Sequence, residues 1–108
     1  MHDPMKRWLY HITPAPFVST AAPLAPPSLA TEGYVHCSYA PLVRESAALY
    51  FAGVDVVVLQ VDPTRLSAEI REEATPRGPM PHVFGAVEAP AIVRVWTLAE
   101  FSAAPDQR

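Results

Sequence analysis

A chain of 108 residues is about one domain long, and with half of its residues apolar and 18% charged it holds enough apolar material for one packed core. The net charge of −3 and the scattering of eight Lys and Arg residues between Lys6 and Arg108 exclude nucleic-acid binding through a basic face. The single cysteine, Cys37, cannot form an internal disulfide or a multi-thiolate zinc site, and no run approaches 18 apolar residues. The expectation is one domain over residues 1–108 in the cytoplasm, without membrane attachment or a signal segment, with flexible ends at 1–5 and 103–108.

In chain order, Trp8 to Thr13 reads as a strand stopped by Pro14. Pro14 to Pro27 is proline-rich and reads as a loop with at most a short helical turn, because proline removes a donor and fixes φ. Gly33 to Ser38 alternates as a strand does, which places Tyr34, His36 and Ser38 on one face and Val35 and Cys37 on the other. On that alternation Cys37 is a small buried apolar residue. Ser38 is placed to cap a helix from about Ala40 to Ala52, whose apolar residues recur at helical spacing and which Gly53 ends.

Asp55 to Val61 is a β-branched run suited to a buried central strand, and Asp62-Pro63-Thr64-Arg65 is a turn. Ala68 to Glu72 reads as a charged edge strand, and a second proline-rich stretch, Pro76 to Pro90, as loop or edge. Within it lies Pro81-His82-Val83-Phe84-Gly85, a rigid opening followed by a glycine suited to an unusual turn. Ala91 to Leu98 reads as the last strand, and Ala99 to Arg108 as a tail with little apolar content.

Three segments carry histidines that polar chemistry can use: His11 beside Thr13, His36 beside Tyr34 and Ser38, and His82. An imidazole donates one hydrogen bond and accepts another near neutral pH, so it orients a ribose hydroxyl or a phosphate without acting as acid or base. Each is equally readable as a histidine satisfied by one structural hydrogen bond. No ligand spacing points to a metal, and neither phosphate-loop nor dinucleotide-fold glycine fingerprints are present.

Tyr10-His11-Ile12-Thr13, Ser28-Leu29, Glu32 through Ser38, Asp62-Pro63-Thr64-Arg65-Leu66 and Pro81 through Gly85, in that order, resemble a small bacterial family, domain-of-unknown-function family 952. The resemblance covers nearly the whole chain. It implies an α+β fold like that of ADP-ribosyltransferases: a small split antiparallel sheet, one main helix and a cleft that takes NAD or an ADP-ribose-like nucleotide. His11, His36 and His82 are then the implied catalytic residues, with His11, Thr13, Tyr34, His36 and Ser38 holding the cofactor NAD. The late glutamate of such transferases has no clear equivalent, and its place falls to His82 or to Glu73, with His82 preferred. Where relatives carry a more helical segment this chain has Pro14–Pro27, which implies a remodelled cleft wall. The alternative is a non-catalytic module that keeps the fold and meets a protein partner through the proline-rich edge, Trp8 or Trp96.

Overall fold

A computed structural model describes residues 7–18 and 21–104. Of the ends expected to be flexible, 1–5 and 103–108, residues 1–5 and 105–108 lie outside the described residues, whereas Ala103 ends a helix and Ala104 caps it. Among the described residues six strands form two antiparallel three-stranded sheets. The first sheet has β1 (Leu9–Pro14) and β6 (Ile92–Thr97) on either side of β3 (Val56–Val61). The second has β2 (Val35–His36) and β4 (Glu69–Thr75) on either side of β5 (Gly78–Phe84). Among the described residues three short α-helices, rather than one main helix, accompany the sheets: α1 (Pro27–Glu32), α2 (Val43–Tyr50) and α3 (Leu98–Ala103). The expected α+β class with a split antiparallel sheet is what forms.

The β-branched run becomes β3, the central strand of its sheet, with Val58, Leu59 and Val61 fully buried. Burial of each such side chain contributes about 1.5–3 kcal/mol. β1 is covered on both faces. Tyr10 and Ile12 face a core completed by Val56, Val58 and Trp96, by Val43 and Ala47 of α2, and by Phe101 of α3. Leu9 points the other way, into a second core with Val61, Val35, Val83, Val87 and Ala91. The sheets meet where Tyr10 and Ser38 exchange two backbone hydrogen bonds of 2.9 and 2.8 Å.

Several elements depart from expectation. The helix expected over Ala40–Ala52 is a 3-10 turn at Ala40–Leu42 followed by α2, and Ser38 does not cap it; Tyr39 and Leu42 hold the cap positions, neither capping through its side chain. The supposed tail forms α3, fixed by a capping box in which Thr97 and Glu100 satisfy each other's backbone N–H. Phe101 anchors it edge-on to Tyr10, with ring centroids 5.0 Å apart. Trp96 is buried and donates from its indole N–H to Gln60 Oε1 at 2.9 Å, so it belongs to the core and not to a contact surface.

The largest correction concerns Pro76–Pro90. Its middle is β5, the central strand of the second sheet, although it contains Pro79 and Pro81. Pro81 C=O accepts from Cys37 N–H, so the nitrogen of Pro81, and of Pro79 two residues before it, faces the β2 side. β2 pairs with β5 only at Val35↔Val83 and His36↔His82, so on that side the missing donors interrupt no ladder, and the seven-residue pairing with β4 stays whole. Gly85, expected to permit an unusual turn, does not take a positive φ. A Cβ there would come within 2.7 Å of Ala68 Cβ, so close approach explains the glycine.

Candidate functional site

A cleft of about 660 Å³ opens along the free edge of β1, walled by β1, α1 and α2 and by the segment from His36 to Ser38. Its size is that of small-ligand sites. His11, Thr13, His36 and Ser38 line it, so the fold brings together four of the six residues singled out from sequence. Pro14, Pro26 and Pro27 also line it, so the proline-rich stretch contributes cleft wall at both of its ends. Tyr34 and His82 are outside the lining.

The separation of Tyr34 from Ser38 has a backbone cause. β2 lasts only two residues, and at Cys37 the chain leaves β5 to reach β1, so one alternating row does not run from Tyr34 to Ser38. Cys37 itself is buried, and burial pushes its thiol up to about 12, which keeps it protonated at neutral pH. His82 sits in mid-strand rather than in a loop. Its register partner His36 brings the two rings to 5.4 Å, and Tyr34 stacks on His82 at 4.2 Å. The His82 Nδ1–H donates to Glu73 Oε1. Thus His82 and Glu73, the two residues considered for one late site position, bond to each other beside the cleft.

His11 is set differently. It is buried, and its Nδ1 lies 2.7 Å from the backbone carbonyl of His36. A carbonyl only accepts, so Nδ1 carries the proton and Nε2 of the neutral ring presents a lone pair. Burial lowers the pKa of His11; the bond to the carbonyl opposes that and the nearby charge of His36 adds to it. Among the described residues nothing hydrogen-bonds Nε2.

The next residue supplies the complementary groups. Tyr10 turns its N–H and C=O to Ser38, away from β3, and in an antiparallel strand that direction repeats two residues on. Ile12 therefore points its N–H and C=O to the same side, past the end of the contact with Ser38, and no described residue pairs with them. Along this edge the cleft wall presents an imidazole acceptor and then a backbone donor and acceptor.

Glu32 was not among the expected site residues, and among the described residues it is the one carboxylate of the cleft lining. It closes α1, where Gly33 at φ +88° ends the helix by donating its N–H to the Ser28 and Leu29 carbonyls. That turn lets Glu32 Oε1 accept from His36 Nε2 at 3.0 Å and Oε2 from the Tyr34 hydroxyl at 3.3 Å. The hydrogen bond from His36, and then its charge, hold the Glu32 carboxyl below the ordinary range. Ser46 was also missed. It shares the buried face of α2 with Val43 and Ala47, and its Oγ lies 3.3 Å from Ser38 Oγ at the cleft wall. Its helical spacing from those apolar neighbours was the signal available in the sequence. Among the described residues no three His, Cys, Asp or Glu side chains gather as a metal-binding set, and no helix is long and apolar enough to cross a membrane.

Two antiparallel sheets with a cleft at their junction define a small α+β domain whose candidate site lies on a strand edge. The chain belongs to the family described as protein of unknown function (DUF952), whose model matches residues 13–95. Its fold is similar to the crystal structure of protein CC0527 from Caulobacter crescentus, at a TM-score of 0.64 and 24% identity, covering 83% of this chain and 84% of that one. A double mutant of CC0527 matches at the same TM-score with 22% identity and the same coverage. No curated protein matches the chain.

Proposed function

We propose that the cleft binds NAD or an ADP-ribose-like nucleotide, and that the chain is an ADP-ribosyltransferase-like domain. The observation that carries this reading is the order of groups along β1: the Nε2 lone pair of His11, then the unpaired N–H and C=O of Ile12. A primary carboxamide has one donor and one acceptor side, which complements Ile12, and a ribose hydroxyl beside it is a donor suited to His11. Nicotinamide riboside carries both groups. The aromatic rings of Tyr50 and Phe51 on the lining offer apolar faces for a planar base.

The donor set thus fits the group. His11, Ile12 and Thr13 would hold the nicotinamide riboside portion, and Ser38 another part of the nucleotide. Such a nucleotide supplies a glycosidic bond whose cleavage leaves positive charge on the ribose. The ionised Glu32, fixed by His36 and Tyr34, is the carboxylate of this chain suited to face that charge, in place of His82 or Glu73. His36 then positions Glu32, and His82 braces Tyr34.

Titration calorimetry of the full chain with NAD and with ADP-ribose tests the reading. Saturable binding is expected, weakened about tenfold or more in His11→Ala through loss of a buried hydrogen bond. No heat and no NMR shift change with either ligand would sink it.

A further inference from the structure

Behind the cleft wall stands a cation that the site as described does not use. Arg77 lies in the turn of the β4–β5 hairpin, where Thr75 Oγ1 accepts from its backbone N–H at 3.2 Å and donates to Gly78 C=O at 2.7 Å. Its guanidinium crosses to α2. Nη1 donates to Glu45 Oε1 at 2.8 Å on the solvent side, and Nη2 donates inward to Ser46 Oγ at 3.1 Å. Ser46 and Ser38 are each only 5% exposed, their hydroxyls are 3.3 Å apart, and both line the cleft.

We propose that Arg77, Ser46 and Ser38 form a directed hydrogen-bond chain that ends in a hydroxyl donor for a phosphoryl oxygen of the bound ligand. A guanidinium has donors only, so the bond from Arg77 makes Ser46 Oγ an acceptor there and polarises its O–H into a better donor. Among the described residues the partner of that O–H is Ser38 Oγ. Ser38, having accepted, keeps its own proton for the cleft. A buried hydroxyl polarised by a cation behind it favours an oxygen that carries negative charge, and Glu45 balances Arg77 from the outside without entering the cleft. The chain of bonds is short, its inner members are buried, and the hairpin turn holds its charged end in place.

The identity of the ligand as a nucleotide rests on the reading above; the preference for phosphoryl oxygen does not. The test is calorimetry on the full chain with inorganic pyrophosphate, ADP-ribose and nicotinamide riboside. Ser46→Ala is the central variant, because it cuts the relay while leaving Arg77 paired with Glu45; Arg77→Gln and Arg77→Lys accompany it. In Ser46→Ala and Arg77→Gln, affinity for pyrophosphate and ADP-ribose is expected to fall about tenfold, that for nicotinamide riboside to stay within about twofold, and Arg77→Lys to recover part of the loss. Adding Arg77→Gln to Ser38→Ala is expected to cost nothing further, as for members of one chain.

Equal losses for all three ligands, or unchanged pyrophosphate and ADP-ribose binding in Ser46→Ala, would overturn the proposal. Binding of pyrophosphate that depends on Ser46 and Arg77, without binding of ADP-ribose or nicotinamide riboside, would uphold it and defeat the nucleotide reading. Nucleotide binding that ignores Ser46 would do the reverse. A wild-type chain that binds none of the three would overturn both.

Discussion

His11 and His82 are almost equally buried, at 6% and 8% exposure, yet they occupy opposite kinds of surroundings. His11 bonds a neutral backbone carbonyl through Nδ1 and lines the cleft. His82 faces the carboxylate of Glu73 and the ring of Tyr34, and lies outside the cleft lining. Burial alone therefore does not mark a site histidine. What separates the two is that His11 lines the cleft and bonds a neutral carbonyl, whereas His82 lies outside the lining and bonds a carboxylate.

That contrast is open to direct attack. The largest expected effect is His11→Ala, which leaves a cavity between the sheets and takes the donor from the His36 carbonyl. It should lower unfolding free energy by about 2–4 kcal/mol, read from urea titration, in addition to its effect on nucleotide affinity. His82→Ala removes a stacked ring and should cost about 1–2 kcal/mol, with ADP-ribose affinity held within about twofold. A loss of affinity in His82→Ala as large as in His11→Ala would erase the distinction.

The smallest effect is on pH dependence. Folding lowers the pKa of His11 from 6.5, so as pH falls through that value the unfolded chain takes up the proton first. The unfolded state then binds more protons, and stability falls with falling pH by at most about 1.4 kcal/mol per pH unit for this one group. Urea midpoints measured from pH 7.5 to below 6 should therefore decline, and His11→Gln should flatten the decline. Glu32, whose carboxyl is lowered from 4.5 on folding, adds its loss only in the more acidic range. An equal decline in His11→Gln would mean that His11 is not the buried neutral group.

Much of the first sheet was legible. The runs around Leu9–Pro14, Val56–Val61 and Ile92–Thr97 carry β-branched and aromatic residues in unbroken stretches, and they form its three strands. The second sheet was only partly legible. Its central strand carries Pro79 and Pro81, which local rules assign to loops, and the strand exists because its proline nitrogens face a neighbour only two residues long. α3 was missed although Thr97 and Glu100 carry a local capping-box signature; what local sequence does not relate is the packing of Phe101 against Tyr10 and Trp96 that anchors it.

The site divides in the same way. Sequence by itself determined the strands that carry His11 and His36, the burial of Cys37 and the family, because alternation, β-branched runs and an ordered set of short motifs are local properties of the chain. Only the tertiary structure decided that Glu32 rather than Glu73 reaches the cleft, that His82 turns to Glu73, and that Ser46 meets Ser38. Those outcomes depend on how two sheets join at Tyr10 and Ser38 and on where the chain turns at Gly33. The direction of a side chain across such a junction is fixed by packing and register between distant segments, which no local pattern encodes.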